Sequence, residues 1–152
     1  MCNLLAIDLG IKTGFALYNK KDKLCWYRSN NLGSRKRLKR RALSMLNEIN
    51  NIDHILMEGG GDLANIWLRV AKKKEIPCRL INAENWRETL FVKREWRDGK
   101  TAKKSADILA RKIIKWSETE RPTSLTHDAA EAILIGFWGA IELGWIDRVP
   151  TF

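Results

Sequence analysis

The apolar run Leu4-Leu5-Ala6-Ile7-Asp8-Leu9 carries a carboxylate near its end. A continuous apolar run of this kind reads as a strand covered on both faces, so the chain must supply helices to either side of a sheet. A lone carboxylate in a central strand is costly unless something pairs with it. Three more acids raise the same question. Glu58 closes a second apolar run, Ile55-Leu56-Met57, just before Gly59-Gly60-Gly61. Asp128 and Glu131 stand in His127-Asp128-Ala129-Ala130-Glu131-Ala132, where i, i+3 spacing puts both on one helix face and the alanines allow close approach to a sheet. Each acid alone has an ordinary reading. Asp8 could bond to the Gly10–Thr13 turn, Glu58 could be exposed at a strand end, and Asp128 and Glu131 could be favoured by the helix dipole. Taken together they predict a four-carboxylate cluster. Such a cluster suits hard divalent cations, which take oxygen ligands. Two ions about 4 Å apart can activate a water and stabilise the leaving oxygen of a phosphodiester.

The order of the remaining elements sets the fold class. After the strand at 3–9, Gly10 to Gly14 reads as a tight turn, Phe15-Ala16-Leu17-Tyr18 as a second strand, 19–23 as a polar turn and Leu24-Cys25-Trp26-Tyr27 as a third strand. Short connections make these three an antiparallel meander. A helix is expected over 34–50 with Leu38, Leu43, Leu46 and Ile49 inward, then a strand at 53–58. Asp62 is expected to cap a helix running to about 74, and Pro77 to Asn82 reads as a fifth strand. A short helix is expected around Trp86, a polar, mobile stretch over 93–100, and a helix over 101–117 with Ile108, Ile113 and Trp116 inward. A last helix, apolar over much of its circumference, runs from Leu125 to Leu143. This is an α/β chain: a mixed five-stranded sheet with helices on its faces, in one domain over 1–152.

Charge narrows the partners. Lys and Arg number 28 against 18 Asp and Glu, a formal net charge of +10, which favours a polyanion such as nucleic acid. The densest basic run is Arg35-Lys36-Arg37-Leu38-Lys39-Arg40-Arg41. Further concentrations are Lys72-Lys73-Lys74 and the stretch from Lys93 to Lys104, which includes Arg97, Lys100 and Lys103. Arg35, Lys36, Arg37, Arg40, Arg41, Lys72, Lys73, Arg97, Lys100 and Lys103 are the candidate phosphate contacts; a solvated helix face is the plain alternative for the lysines. Of seven tryptophans, Trp86 and Trp96 beside basic residues are candidates for base stacking, while Trp67 suits either core or substrate. Three widely spaced cysteines, Cys2, Cys25 and Cys78, make neither a disulfide framework nor a zinc site. No apolar stretch reaches membrane-spanning length, and the segment from Met1 to Leu4 lacks signal-peptide character, so a reducing, cytoplasmic setting is expected.

Ile7-Asp8-Leu9-Gly10 with Thr13-Gly14, the strand-end Glu58, Thr101-Ala102-Lys103-Lys104-Ser105 and Asp128-Ala129-Ala130-Glu131-Ala132 together resemble the RuvC-type Holliday junction resolvases. The resemblance spans nearly the whole chain, and the short length is similar to phage, plasmid or poxvirus branches. It implies a ribonuclease H-like fold with helices on both faces. It also implies a metal-dependent, structure-selective endodeoxyribonuclease that resolves four-way junctions by paired nicks, using a metal-activated water and leaving 5′-phosphate and 3′-hydroxyl ends. Asp8 would bridge two Mg2+ or Mn2+ ions, Glu58 would bind one, and Asp128 and Glu131 would complete the site. Lys104, or its neighbours Lys103 and Lys100, would stabilise charge at the scissile phosphate. A homodimer would place two such sites on the two-fold junction. The family has Asp where this chain has Glu131. Three alternatives stay open at this point: a ribonuclease H-like nuclease acting on another branched or RNA-containing substrate, a junction-binding protein without cleavage, and, more remotely, an actin-like ATPase suggested by Ile7-Asp8-Leu9-Gly10.

Overall fold

Alternation along the strands sorts side chains onto two sheet faces. In a computed structural model, which describes residues 3–21, 23–147 and 149–152, the strands are β1 (Asn3–Asp8), β2 (Lys12–Asn19), β3 (Lys23–Asn31), β4 (Ile52–Glu58) and β5 (Cys78–Ile81). Met1 and Cys2 of the amino-terminal segment, and Asp22 of the expected polar turn, lie outside the described residues. The sheet order is β3-β2-β1-β4-β5, with β1, β2 and β3 antiparallel and β4 and β5 parallel to β1. This is the mixed sheet expected from the element order.

The helices are α1 (Arg35–Glu48), α2 (Gly61–Lys73), α3 (Ala83–Leu90), α4 (Gly99–Trp116) and α5 (His127–Glu142). Leu4 and Ala6 of β1, Ala16 and Tyr18 of β2 and Leu56 of β4 pack in one apolar cluster with α3, α4 and α5. The intervening residues Leu5, Ile7, Phe15, Leu17, Ile55 and Met57 pack in a second cluster with α1 and α2. The period-2 rule therefore assigns Asp8 and Glu58 to the α5 face. Helix α5 is buried without interruption from Ala129 to Ala140, because the sheet lies on one side and α4 on the other. A Cβ on Gly136 would fall 2.3 Å from the Tyr18 ring, so the close seat of α5 on β2 depends on that glycine. The Tyr18 hydroxyl donates to the Ile133 carbonyl at 2.6 Å across the same contact.

Several local expectations change. The first turn is shorter than expected: Lys12, Thr13 and Gly14 already belong to β2, whose register pairs Gly14 with Asp8. Strand β3 runs on to Asn31, since its pairing with β2 continues to Lys12. In α1 the inward stripe is Leu38, Ala42, Met45 and Leu46, and Leu43 is 38% exposed. In α4 the stripe Ala102, Ala106, Leu109, Ala110, Ile113 and Ile114 leaves Ile108 46% exposed. Both packed lines mix alanines with large aliphatic residues, Ala42 in α1 and Ala102, Ala106 and Ala110 in α4. Asp62 does not cap α2. Gly60 holds the N-cap position without a side-chain bond, and Asp62 lies in the first turn with Arg35 at 3.5 Å. Within 93–100, Lys93–Glu95 form a single 3-10 turn, and the Asp98 side chain caps α4 by accepting from the Thr101 amide at 2.8 Å.

Candidate active site

Two strand ends and one helix start meet at one edge of the sheet. Asp8 and Glu58 end β1 and β4 as direct partners in the parallel register and share a face. Thr126 caps α5, its side chain accepting from the Ala129 amide, which puts Asp128 and Glu131 in the first turns. The start of α5 lies directly over β2. A Cβ at Gly14 would fall 1.9 Å from the Asp128 carbonyl oxygen, so only glycine admits the helix here. Because Gly14 is the register partner of Asp8, this contact carries Asp128 and Glu131 to the two strand-end acids.

The electrostatics agree with that placement. Burial, followed by the charges of Glu58, Glu131 and Asp128, pushes the Asp8 carboxyl up to about 8, against a downward pull from Arg87. Glu58 is also raised, chiefly by burial, with Glu131 adding to the rise. A hydrogen bond from Trp86 and the charges of Arg87 and His127 pull it down. Four acids thus act on one another across a small, partly desolvated space.

Three of the four acids have a polar neighbour outside the acidic motif. Trp86 Nε1 donates to Glu58 Oε1 at 2.6 Å. Arg87 Nη2 donates to Glu131 Oε1 at 3.3 Å, and His127 Nε2 lies 3.0 Å from the same oxygen. The Ser29 hydroxyl donates to Asp128 Oδ2. Glu131 is only 4% exposed, and its Oε2 is buried with no hydrogen-bond partner. Among the described residues no three acidic, histidine or cysteine side chains converge at ligating range on one point. The carboxylates share an edge, but Glu58 is turned toward Trp86, Asp128 toward Ser29, and Glu131 toward Arg87 and His127. An all-oxygen donor set of four acids, one with an orphaned buried oxygen, fits a hard divalent cation.

The sequence does not point to Trp86, Arg87 or Ser29 as neighbours of these acids, because their partners are 28, 44 and 99 residues away. His127 carried a readable signal, the i, i+4 spacing to Glu131. Trp86 is fully buried, so it does not serve as a base-stacking surface. Trp67 is also core, packed on Phe15 with ring centroids 5.8 Å apart. Trp96 is half-buried, and its Nε1 is buried without a partner.

The candidate cations divide between the two sides of the sheet. Arg97, Lys100, Lys103 and Lys104 are exposed in or just before α4, on the carboxylate side; Arg97 lies 3.5 Å from Asp98. No described hydrogen bond or ion pair joins Lys104 to the four acids, and it projects from the side of α4 opposite the packed alanines. Arg35, Lys36, Arg37, Arg40 and Arg41 belong to α1, and Lys72 and Lys73 to α2, both across the sheet from the acids. Arg35 starts α1 beside Gly10 and Ile11, at the acid-bearing edge. Arg41 is half-buried and paired with Glu48 at 3.6 Å. Lys72 and Lys73 lie roughly 17 Å along α2 from Gly61 and therefore point away from that edge.

The sequence matches no family model and no curated protein. Among solved structures, a Thermus thermophilus RuvC in complex with a Holliday junction substrate superposes with a TM-score of 0.65 at 17% identity, covering 99% of this chain and 100% of that one. A second Thermus thermophilus RuvC structure gives 0.64 at 17% identity, over 93% and 96%. The fold is that of RuvC. It is the ribonuclease H-like arrangement, and the likeness covers the sheet and its helices end to end. No helix among the described residues is long and apolar enough to cross a membrane.

Proposed function

We propose that the chain is a divalent-metal-dependent endonuclease of branched DNA that resolves four-way junctions by paired nicks. The observation that carries this reading is the meeting of Asp8, Glu58, Asp128 and Glu131 at one sheet edge, within a RuvC fold. Asp8, on the strand flanked by Glu58 on one side and by the β2 seat of α5 on the other, would hold both ions, Glu58 one of them, and Asp128 and Glu131 would complete the set. Bound Mg2+ or Mn2+ would supply Lewis acidity and an activated water for phosphodiester hydrolysis.

The chain's own residues would do the rest. Trp86 fixes the orientation of Glu58, and Ser29 that of Asp128. Arg97, Lys100 and Lys103 would hold phosphates on the carboxylate side, and Lys104 or one of those neighbours would face the scissile phosphate. Arg35, Lys36 and Arg37 would meet the same DNA at the sheet edge. Arg40, Arg41, Lys72 and Lys73 would touch an arm only beyond the cut site. A homodimer would set two copies of the site on the junction's two-fold axis.

Cleavage of a labelled synthetic four-way junction, beside linear duplex and RNA–DNA hybrid, in Mg2+, Mn2+ and EDTA, tests this. Metal-dependent, symmetric nicks confined to the junction are expected. Cutting of the hybrid, or of every substrate, would move the activity to another ribonuclease H-like class. Tight junction binding without cutting in either metal would make the protein a binding module.

A further inference from the structure

Helix α3 approaches the acidic edge with two consecutive residues, Trp86 and Arg87. The indole holds Glu58, and the guanidinium lies among the other acids. Arg87 Nη2 is 3.3 Å from Glu131 Oε1, and its charge acts on both Asp8 and Glu58. The arginine side chain is 24% exposed, and its guanidinium sits 5.0 Å from the Trp86 ring centroid, so it is held in place by packing as well as charge. Glu131 is unevenly served. Oε1 faces both Arg87 and His127, whereas Oε2 is buried without a partner. Crowded carboxylates need a counter-ion to share a desolvated space.

We infer that Arg87 is a resident counter-ion of the acidic edge, which a divalent cation must displace from Glu131 in order to bind. This rests on the metal-dependent reading above. Arg87 and His127 both engage Glu131 Oε1, and among the described residues no three of the acids converge on a point. A metal ion and the guanidinium then compete for the same negative charge, so α3 as well as the acids sets metal affinity. Once displaced, the guanidinium stays tethered beside the site by Trp86, and a phosphate is the next anion within its reach.

Mn2+ titrations of the full chain, followed by calorimetry and by loss of the free-ion EPR signal, test the inference on the parent, Arg87→Met and Arg87→Lys. Arg87→Met is expected to bind Mn2+ about fivefold to tenfold more tightly, as release of one partly exposed ion pair allows. Arg87→Lys keeps the charge and is expected to stay within about twofold of the parent. Melting curves should show a matching, larger Mn2+-induced gain for Arg87→Met. If that variant does not fold, Arg87→Gln, which keeps a donor to Glu131, is expected to show the same gain. Unchanged or weaker Mn2+ binding in a folded, uncharged variant would mean that Arg87 orients Glu131 for the metal, and would overturn the inference. If neither parent nor variants take up Mn2+, the metal-dependent reading itself fails, and this inference with it.

Discussion

Asp8 is held in a setting that favours its neutral form, and this has a sign that can be checked. Burial and the neighbouring acids push its carboxyl up to about 8 in the folded protein, against about 3.9 in an unfolded chain. The folded state therefore holds a proton that the unfolded state has lost. Stability from this group is full below about pH 4 and is lost as pH rises toward 8. Metal-free protein is expected to melt at progressively lower temperature between pH 5 and 9, and Asp8→Asn to flatten that slope and melt higher at the alkaline end. Parallel slopes in EDTA would show that Asp8 does not titrate there. The same substitution should abolish metal-dependent cleavage while junction binding, read by gel shift, survives. Trp86→Phe keeps a ring but strips Glu58 of its donor. It is expected to cost about 2 kcal/mol in denaturant unfolding, from an unmet acceptor plus a small cavity. The acids themselves stand out in the sequence, because carboxylates interrupt apolar runs. Trp86, Arg87 and Ser29 do not, because no local pattern ties a residue to a partner dozens of positions away.

The elements were largely readable. Five strands and five helices follow from apolar runs, glycines and periodicity, and the meander follows from short connections. What periodicity does not show is which apolar residues give way to small ones. Leu43 and Ile108 turn outward, while Ala42 and Ala106 lie on the packed faces of their helices. Nor does it show that Gly14 lies inside a strand. Its neighbours suggest a turn, yet its role is to leave room for the Asp128 backbone. Gly14→Ala is expected to push the start of α5 off the sheet and lower cleavage by about a hundredfold, since displacements of about 1 Å at reacting groups have effects of that size. Junction binding should change little. Cleavage within twofold of the parent would mean that the four acids need not be so close. Gly136→Ala strikes the same helix farther along, at the Tyr18 ring, and should cost stability instead, about 1–3 kcal/mol from overpacking.

At the scale of the whole molecule, the net charge of +10 is plain in the sequence, but its division between the two sides of the sheet is not. Junction binding is expected to weaken steeply with salt. If Lys36, Arg37 and Arg40 each touch a phosphate, the triple alanine variant should reduce the slope of log affinity against log salt by up to about three. An unchanged slope would leave the α1 face without a nucleic-acid contact. The seat of α5 also bears on how the protein comes to be active. This helix fills one side of the sheet and brings two of the four acids, yet it follows every strand in the chain. The Tyr18 hydroxyl bonds to a carbonyl 115 residues downstream. Contacts that distant make folding slow and leave little of the sheet stable before they form. A chain cut short before α5 would lose two of the four edge acids together with the centre of the cluster on that face of the sheet. Completion of the fold and assembly of the four-acid edge thus become a single event, and under the proposed function an unfinished chain would carry no cutting centre.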